Sequence, residues 1–158
     1  MVVGSDARPT EVAVTKGDGG ELLATTDAET AFTTLNYGVS NRGEGQTVLL
    51  RYHAKGQPVG GQAVGLPLEL TSKGVNGGVV FMATAGGKPL GGVTVTVFEP
   101  GSDEPRTVTT DPSGQTPAYA KAGRYAVRVG RFEKAKGEHE GRAYAGVWEY
   151  STLTTEVK

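Results

Sequence analysis

The strongest constraint on this chain is an alternation. In "VTVTVFEP" (93–100), Val93, Val95 and Val97 fall on one side of an extended chain and Thr94 and Thr96 on the other. In "GRYAVRVG" (123–130), Tyr125, Val127 and Val129 alternate in the same way with Arg124, Ala126 and Arg128. Successive side chains of a strand point to opposite faces, so a period of two marks a strand with one buried face. No segment sustains a 3.6-residue apolar period, and none repeats. Glycine supplies 25 of the 158 residues and proline 8, many of them between the alternating runs, where turns need them. About eight to ten short strands separated by such turns predict an all-β, antiparallel β-sandwich.

The punctuation can be read segment by segment. Asn76-Gly77 precedes the apolar run Val79–Thr84, which predicts a tight hairpin leading into a central strand. "LPLEL" (66–70) reads as an edge strand, because Pro67 cannot donate to a ladder. Asp111-Pro112-Ser113-Gly114 puts a carboxylate two residues from a hydroxyl. The same four residues match a type I turn position by position, and no histidine stands nearby in sequence to act as a base. The turn is therefore the expectation. "QTVLLRYHAK" (46–55) places Val48, Leu50, Tyr52 and Ala54 on one face. Thr47, Arg51, His53 and Lys55 fall on the other, expected to be the polar face, with Leu49 the exception. "RFEKAKGEHEG" (131–141) reads as a charged loop, and "RAYAGVWEYSTLTTEV" (142–157) as one long final strand. On that strand the aromatics and aliphatics have opposite parity, so either both faces are buried or a bulge reverses them. Residues 1–28 are polar and glycine-rich and read as an N-terminal extension or the remnant of a preceding segment, with the sandwich domain over 29–158.

Charge and residue inventory exclude several classes of function. The formal net charge is −1, with no basic block, so the electrostatic footprint of a nucleic-acid-binding protein is missing. No apolar run approaches the roughly eighteen residues of a membrane-spanning helix. With no cysteine there is no disulfide, thiolate zinc site or cysteine nucleophile. The opening "MVVGSDARPT" lacks the charged and apolar regions of a secretory leader. Neither G-x-S-x-G nor H-E-x-x-H occurs. The chain is expected to be no enzyme.

Residues 86–130, "GGKPLGGVTVTVFEPGSDEPRTVTTDPSGQTPAYAKAGRYAVRVG", resemble the Ig-like modules of the carboxypeptidase-regulatory-like and transthyretin-like type. Over a longer span, "LNYGVSNRG" (35–43), "LLRYHAKG" (49–56), "VGLPLEL" (64–70) and "GEHEGRAYAGVWEYSTLTTEV" (137–157) follow one another around that module. This order resembles the C-terminal part of a bacterial extracytoplasmic family described as a periplasmic component of nickel or cobalt uptake. The resemblance implies an Ig-like sandwich and a periplasmic or secreted location. It also implies a non-catalytic accessory role in transition-metal uptake, with a membrane transporter or another extracytoplasmic protein as partner. Proteins of this kind carry a histidine at the mature N-terminal end; residues 1–29 here contain none.

Two sets of site residues remain. His139 lies between Glu138 and Glu140, and with His53 these are the candidate ligands for a divalent transition metal such as Ni, Co, Zn or Cu. Imidazole with carboxylate suits those ions. The competing reading is a solvated loop and a surface histidine, since Glu138 and Glu140 point away from His139 in an extended segment. Tyr144, Trp148 and Tyr150 could form an aromatic platform for sugar rings, the basis of an alternative carbohydrate- or surface-binding function; aromatics on strands also serve as core.

Overall fold

The computed structural model describes residues 1–3, 9–11, 14–16, 22–24, 28–43 and 45–158. Among these there are only strands and their connections, and no helix. They are β1 (Val2–Val3), β2 (Pro9–Thr10), β3 (Val14–Lys16), β4 (Leu22–Ala24), β5 (Thr30–Asn41), β6 (Thr47–Gly56), β7 (Leu68–Val75) and β8 (Gly78–Ala85). Then come β9 (Lys88–Pro89), β10 (Thr94–Phe98), β11 (Arg106–Thr109), β12 (Gly123–Glu133), β13 (Gly137–His139), β14 (Arg142–Tyr144) and β15 (Gly146–Val157). The large sheet has the order β11-β10-β12-β15-β6-β5-β1-β2, and the smaller one β7-β8-β9. All pairings are antiparallel except β15 with β6, which run parallel from Gly146↔Val48 to Thr154↔Gly56.

The two sheets pack face to face. Leu68, Leu70, Val79, Phe81 and Ala83 of the smaller sheet meet Val95, Val97, Tyr125, Val127, Val129 and Leu153 of the larger. The valines and Tyr125 of the alternating runs thus point inward, as their spacing predicts. Asn76-Gly77 closes the β7–β8 hairpin, with Gly77 at φ +79°, where an L side chain would be strained. β7 is an edge strand and β8 the central one of its sheet. Asp111 makes its turn: its carbonyl accepts from Gly114 N–H, and its Oδ1 accepts from the Ser113 and Gln115 amides, each at 2.9 Å. Both carboxylate and hydroxyl positions are therefore explained by chain reversal.

Three expectations change. Residues 131–141 are not simply a loop: β12 continues to Glu133, and β13 pairs with β14 in a hairpin (Gly137↔Tyr144, His139↔Arg142). The final strand is divided, with Ala145 separating β14 from β15. Along β15 there is no bulge; eleven consecutive pairs with β12 keep Val147, Glu149, Ser151, Leu153 and Thr155 inward and Trp148 and Tyr150 outward. The largest change is in β6. In its second half the charged face is the inner one: His53 and Lys55 are buried, while Tyr52 and Ala54 are exposed; in its first half Val48 and Leu50 are buried as expected. Alternation correctly marks a two-faced strand, but the side turned to the core is decided by partners on other strands.

Candidate functional site

The inner face of β6 is tolerable because its buried polar side chains are paired. His53 is 1 % exposed. Its Nδ1 is 2.8 Å from Thr34 Oγ1 on β5 and its Nε2 2.9 Å from Glu149 Oε1 on β15. Glu149 is 2 % exposed. Its Oε2 accepts two charge-assisted hydrogen bonds from one guanidinium, Arg131 Nε at 3.0 Å and Arg131 Nη2 at 2.9 Å. Arg51 lies 3.7 Å from Oε1 and donates from Nε to Asn36 Oδ1. Burial pushes the Glu149 carboxyl up, but the His53 and Arg131 hydrogen bonds and the Arg131 charge outweigh it, and the net displacement is downward.

One turn of the ladder further, Lys55 donates to Glu69 Oε1 across the two sheets. The same carboxylate accepts from the backbone amides of Val64, Gly65 and Leu66 at 2.7–3.1 Å, pinning the 57–67 connection to β7. Burial pulls the Lys55 ammonium down, against the hydrogen bond and charge of Glu69. Both clusters have their polar groups committed to one another, which is the behaviour of structural pins.

The outer face of the large sheet is different. Five aromatic rings run across four strands: Phe132 on β12, Trp148 and Tyr150 on β15, Tyr52 on β6 and Tyr37 on β5. Neighbouring centroids lie 5.2–6.2 Å apart. Trp148, Tyr150 and Tyr52 are nearly parallel, at 14° and 15°, in the offset arrangement that aromatic rings prefer. The row is not core: Tyr37 is 73 % exposed, Phe132 43 % and Tyr52 36 %. Pairing explains the arrangement. Tyr52 and Tyr150 are register partners on the parallel seam, and Phe132 and Trp148 on the β12–β15 ladder. Tyr150 fits because residue 130 is glycine; a Cβ there would lie 2.9 Å from its ring.

At the β5 end, the row meets a cleft of about 320 Å³ lined by Tyr37, Gly38, Val39, Ser40, His139, Glu140 and Arg142. A register shift between Asn36 and Gly38 puts Tyr37 in a bulge, the kind of irregularity that re-aims a side chain. On the other wall, Glu140 (φ +50°) and Gly141 (φ +74°) form the two-residue turn between β13 and β14. Glu140 is the one non-glycine residue at positive φ among those described.

The sequence-predicted ligands are thus placed apart. His53 is not a surface histidine; it is locked between Thr34 and Glu149. His139 and Glu140 line the cleft, whereas Glu138 sits on β13 opposite Ala143 and is exposed. Among the described residues, no three His, Cys, Asp or Glu side chains come together to hold a metal ion. Of the aromatic set, Trp148 and Tyr150 are outward and adjacent. Tyr144 turns away and packs with Val39, Leu49 and Val147. Sequence reasoning passed over Tyr37, Tyr52 and Phe132, and also Glu149 and Arg131. One signal for the row was present: Gly130 inside an otherwise regular strand marks the close approach of another group.

Comparison with protein-family models, with curated proteins and with solved structures gives no match.

Proposed function

We propose that this protein is a non-catalytic, extracytoplasmic binding module with an Ig-like sandwich, and that its ligand is a carbohydrate chain lying along the aromatic row. The observation that carries the reading is the accessible sequence Tyr37, Tyr52, Tyr150, Trp148, Phe132 on one sheet face. Sugar rings present apolar C–H faces and polar rims, so they stack on aromatic rings while their hydroxyls stay solvated. Contiguous exposed rings of this kind otherwise carry an aggregation risk, which a ligand-binding role explains. The Ig-like assignment is supported by the two-layer packing and by Tyr125, whose hydroxyl donates to Lys121 O four residues upstream, the corner contact seen in such sandwiches.

A glycan array followed by titration calorimetry of the wild type and of the variant tests the reading. Each stacked ring contributes about 0.5–1.5 kcal/mol, so Trp148→Ala with Tyr150→Ala is expected to weaken binding about fivefold or more while the far-ultraviolet spectrum keeps its β signature. Retained affinity in the double variant, or no glycan bound by the wild type, removes the proposal. A second reading, accessory to transition-metal uptake beside a membrane transporter, draws on His139 and Glu140 sharing the cleft. Calorimetry with Ni, Co, Zn and Cu ions on the wild type and His139→Ala decides it; no heat with any of the four removes it.

A further inference from the structure

The cleft beside Tyr37 differs in chemistry from the row it joins. His139 and Arg142 are register partners on the β13–β14 hairpin. Directly opposed residues of an antiparallel pair project to the same face, and both line the cleft. Ser40 lines it from β5. The wall therefore offers a guanidinium, an imidazole and a hydroxyl, against one carboxylate, Glu140. The Arg142 guanidinium makes no ion pair or side-chain hydrogen bond among the described residues. Arg51, Arg106 and Arg131 each pair with a glutamate; of the arginines without such a partner, Arg142 is the one that lines the cleft. The backbone that carries Arg142 is anchored: its strand begins directly after the Glu140-Gly141 turn, and Tyr144, two residues on, is packed into the small cluster with Val39, Leu49 and Val147. A cation held at the mouth of a cleft without a partner suits an anion, and a guanidinium suits the planar or trigonal oxygens of carboxylate and sulfate.

We propose that this cleft is the terminal subsite of the aromatic row and takes an acidic sugar unit, with Arg142 receiving its carboxylate or sulfate group. The inference rests on the glycan reading above and adds the charge of the ligand. Tyr37 makes the continuity: it lines the cleft and stacks edge-on with Tyr52, centroids 6.2 Å apart at 76°. The cleft, at about 320 Å³, lies at the small end of ligand pockets, which begin near about 300 Å³. It is sized for one ring unit rather than a branched oligosaccharide. Glu140 accepts from ring hydroxyls and sets a repulsion that confines the anion to the Arg142 side.

The test uses four-unit oligogalacturonate, a sulfated galactan oligomer of the same length and the corresponding neutral galactan, each titrated at low and at high salt. The wild type is expected to bind at least one acidic oligomer about tenfold or more above the neutral one at low salt. That advantage shrinks as salt rises. Arg142→Ala should bring acidic affinity down to the neutral level and leave neutral affinity within twofold. Glu140→Gln should tighten the acidic oligomer two- to threefold. The carboxylate and sulfate arms identify which group is read. If acidic and neutral oligomers bind alike, or Arg142→Ala keeps the preference, this inference fails while the glycan reading stands. If none of the three binds, this inference fails and the glycan array decides the wider reading; if Trp148→Ala leaves every oligomer's affinity unchanged, both fail. Arg142 is exposed, and an unchanged melting curve for its variant confirms that the loss is local.

Discussion

At the scale of single residues, the protein's most consequential choice is to bury charge where alternation predicts a solvated face. Removing one member of a buried pair strands the other, which costs about 3–5 kcal/mol. Glu149→Gln is expected to fall in that range by urea unfolding, because Arg131 loses its counter-charge and the single amide oxygen cannot accept from both Arg131 and His53. Its pH signature follows from its direction of shift. The folded-state carboxyl titrates below its ordinary value of 4.5, so Glu149 stabilises the fold in full above that value. The contribution is lost as pH falls through the lower folded-state value. Acid unfolding of the wild type should steepen below pH 4.5 and lose that component in Glu149→Gln. His53, Arg51 and Arg131 are the groups facing this carboxylate, so a variant with the same midpoint and slope as the wild type would refute the account. At Glu69 the reading is local. Glu69→Gln should raise hydrogen exchange at the Val64, Gly65 and Leu66 amides more than at β12, since that carboxylate holds all three.

At the scale of elements, β15 is the strand on which both faces of the molecule are decided. Its inward residues complete the sandwich at Leu153 and the charge cluster at Glu149, and its outward ones supply Trp148 and Tyr150. A change confined to its outer side should therefore alter the row without unfolding the core. Gly130→Ala is such a change, made from the neighbouring strand. Its added Cβ would fall 2.9 Å from the Tyr150 ring, a contact that only a movement of that ring relieves. Near-ultraviolet circular dichroism should report altered coupling of Tyr150 with Trp148. The stability loss should stay near about 1 kcal/mol, the low end of the overpacking range. An unchanged aromatic spectrum would mean that the ring does not rest on residue 130. Much at this scale was legible in the sequence. The β7–β8 hairpin, the edge character of β7, the Asp111 turn and the inward valines of β10 and β12 follow from periodicity and turn chemistry, which are local. The β13–β14 hairpin was not legible, because Glu140-Gly141 lacks the usual Asn-Gly signature and β13 and β14 are too short to show an alternating apolar face.

At the scale of the whole molecule, one core lies between the sheets, and stability depends on it more than on any surface feature. Phe81 is fully buried against Tyr119 and Tyr125. Phe81→Ala should cost about 3–5 kcal/mol and lower the melting of both sheets together, as a single cooperative transition requires. Separate loss of the smaller sheet would show that the layers are independent. The parallel seam between β6 and β15 joins segments far apart in sequence, so the row and the Glu149 cluster both form only when the large sheet closes.

The sequence by itself determined that this chain makes strands, where most of them turn, and which residues of β10 and β12 face the core, because those outcomes depend on neighbours one or two positions away. The tertiary structure alone decided that β6 turns its charges inward, that Tyr37, Tyr52 and Phe132 join Trp148 and Tyr150, and that His53 and His139 stay apart. Those outcomes depend on which strands lie side by side, and the pairing of residue 52 with residue 150 is written in no local pattern.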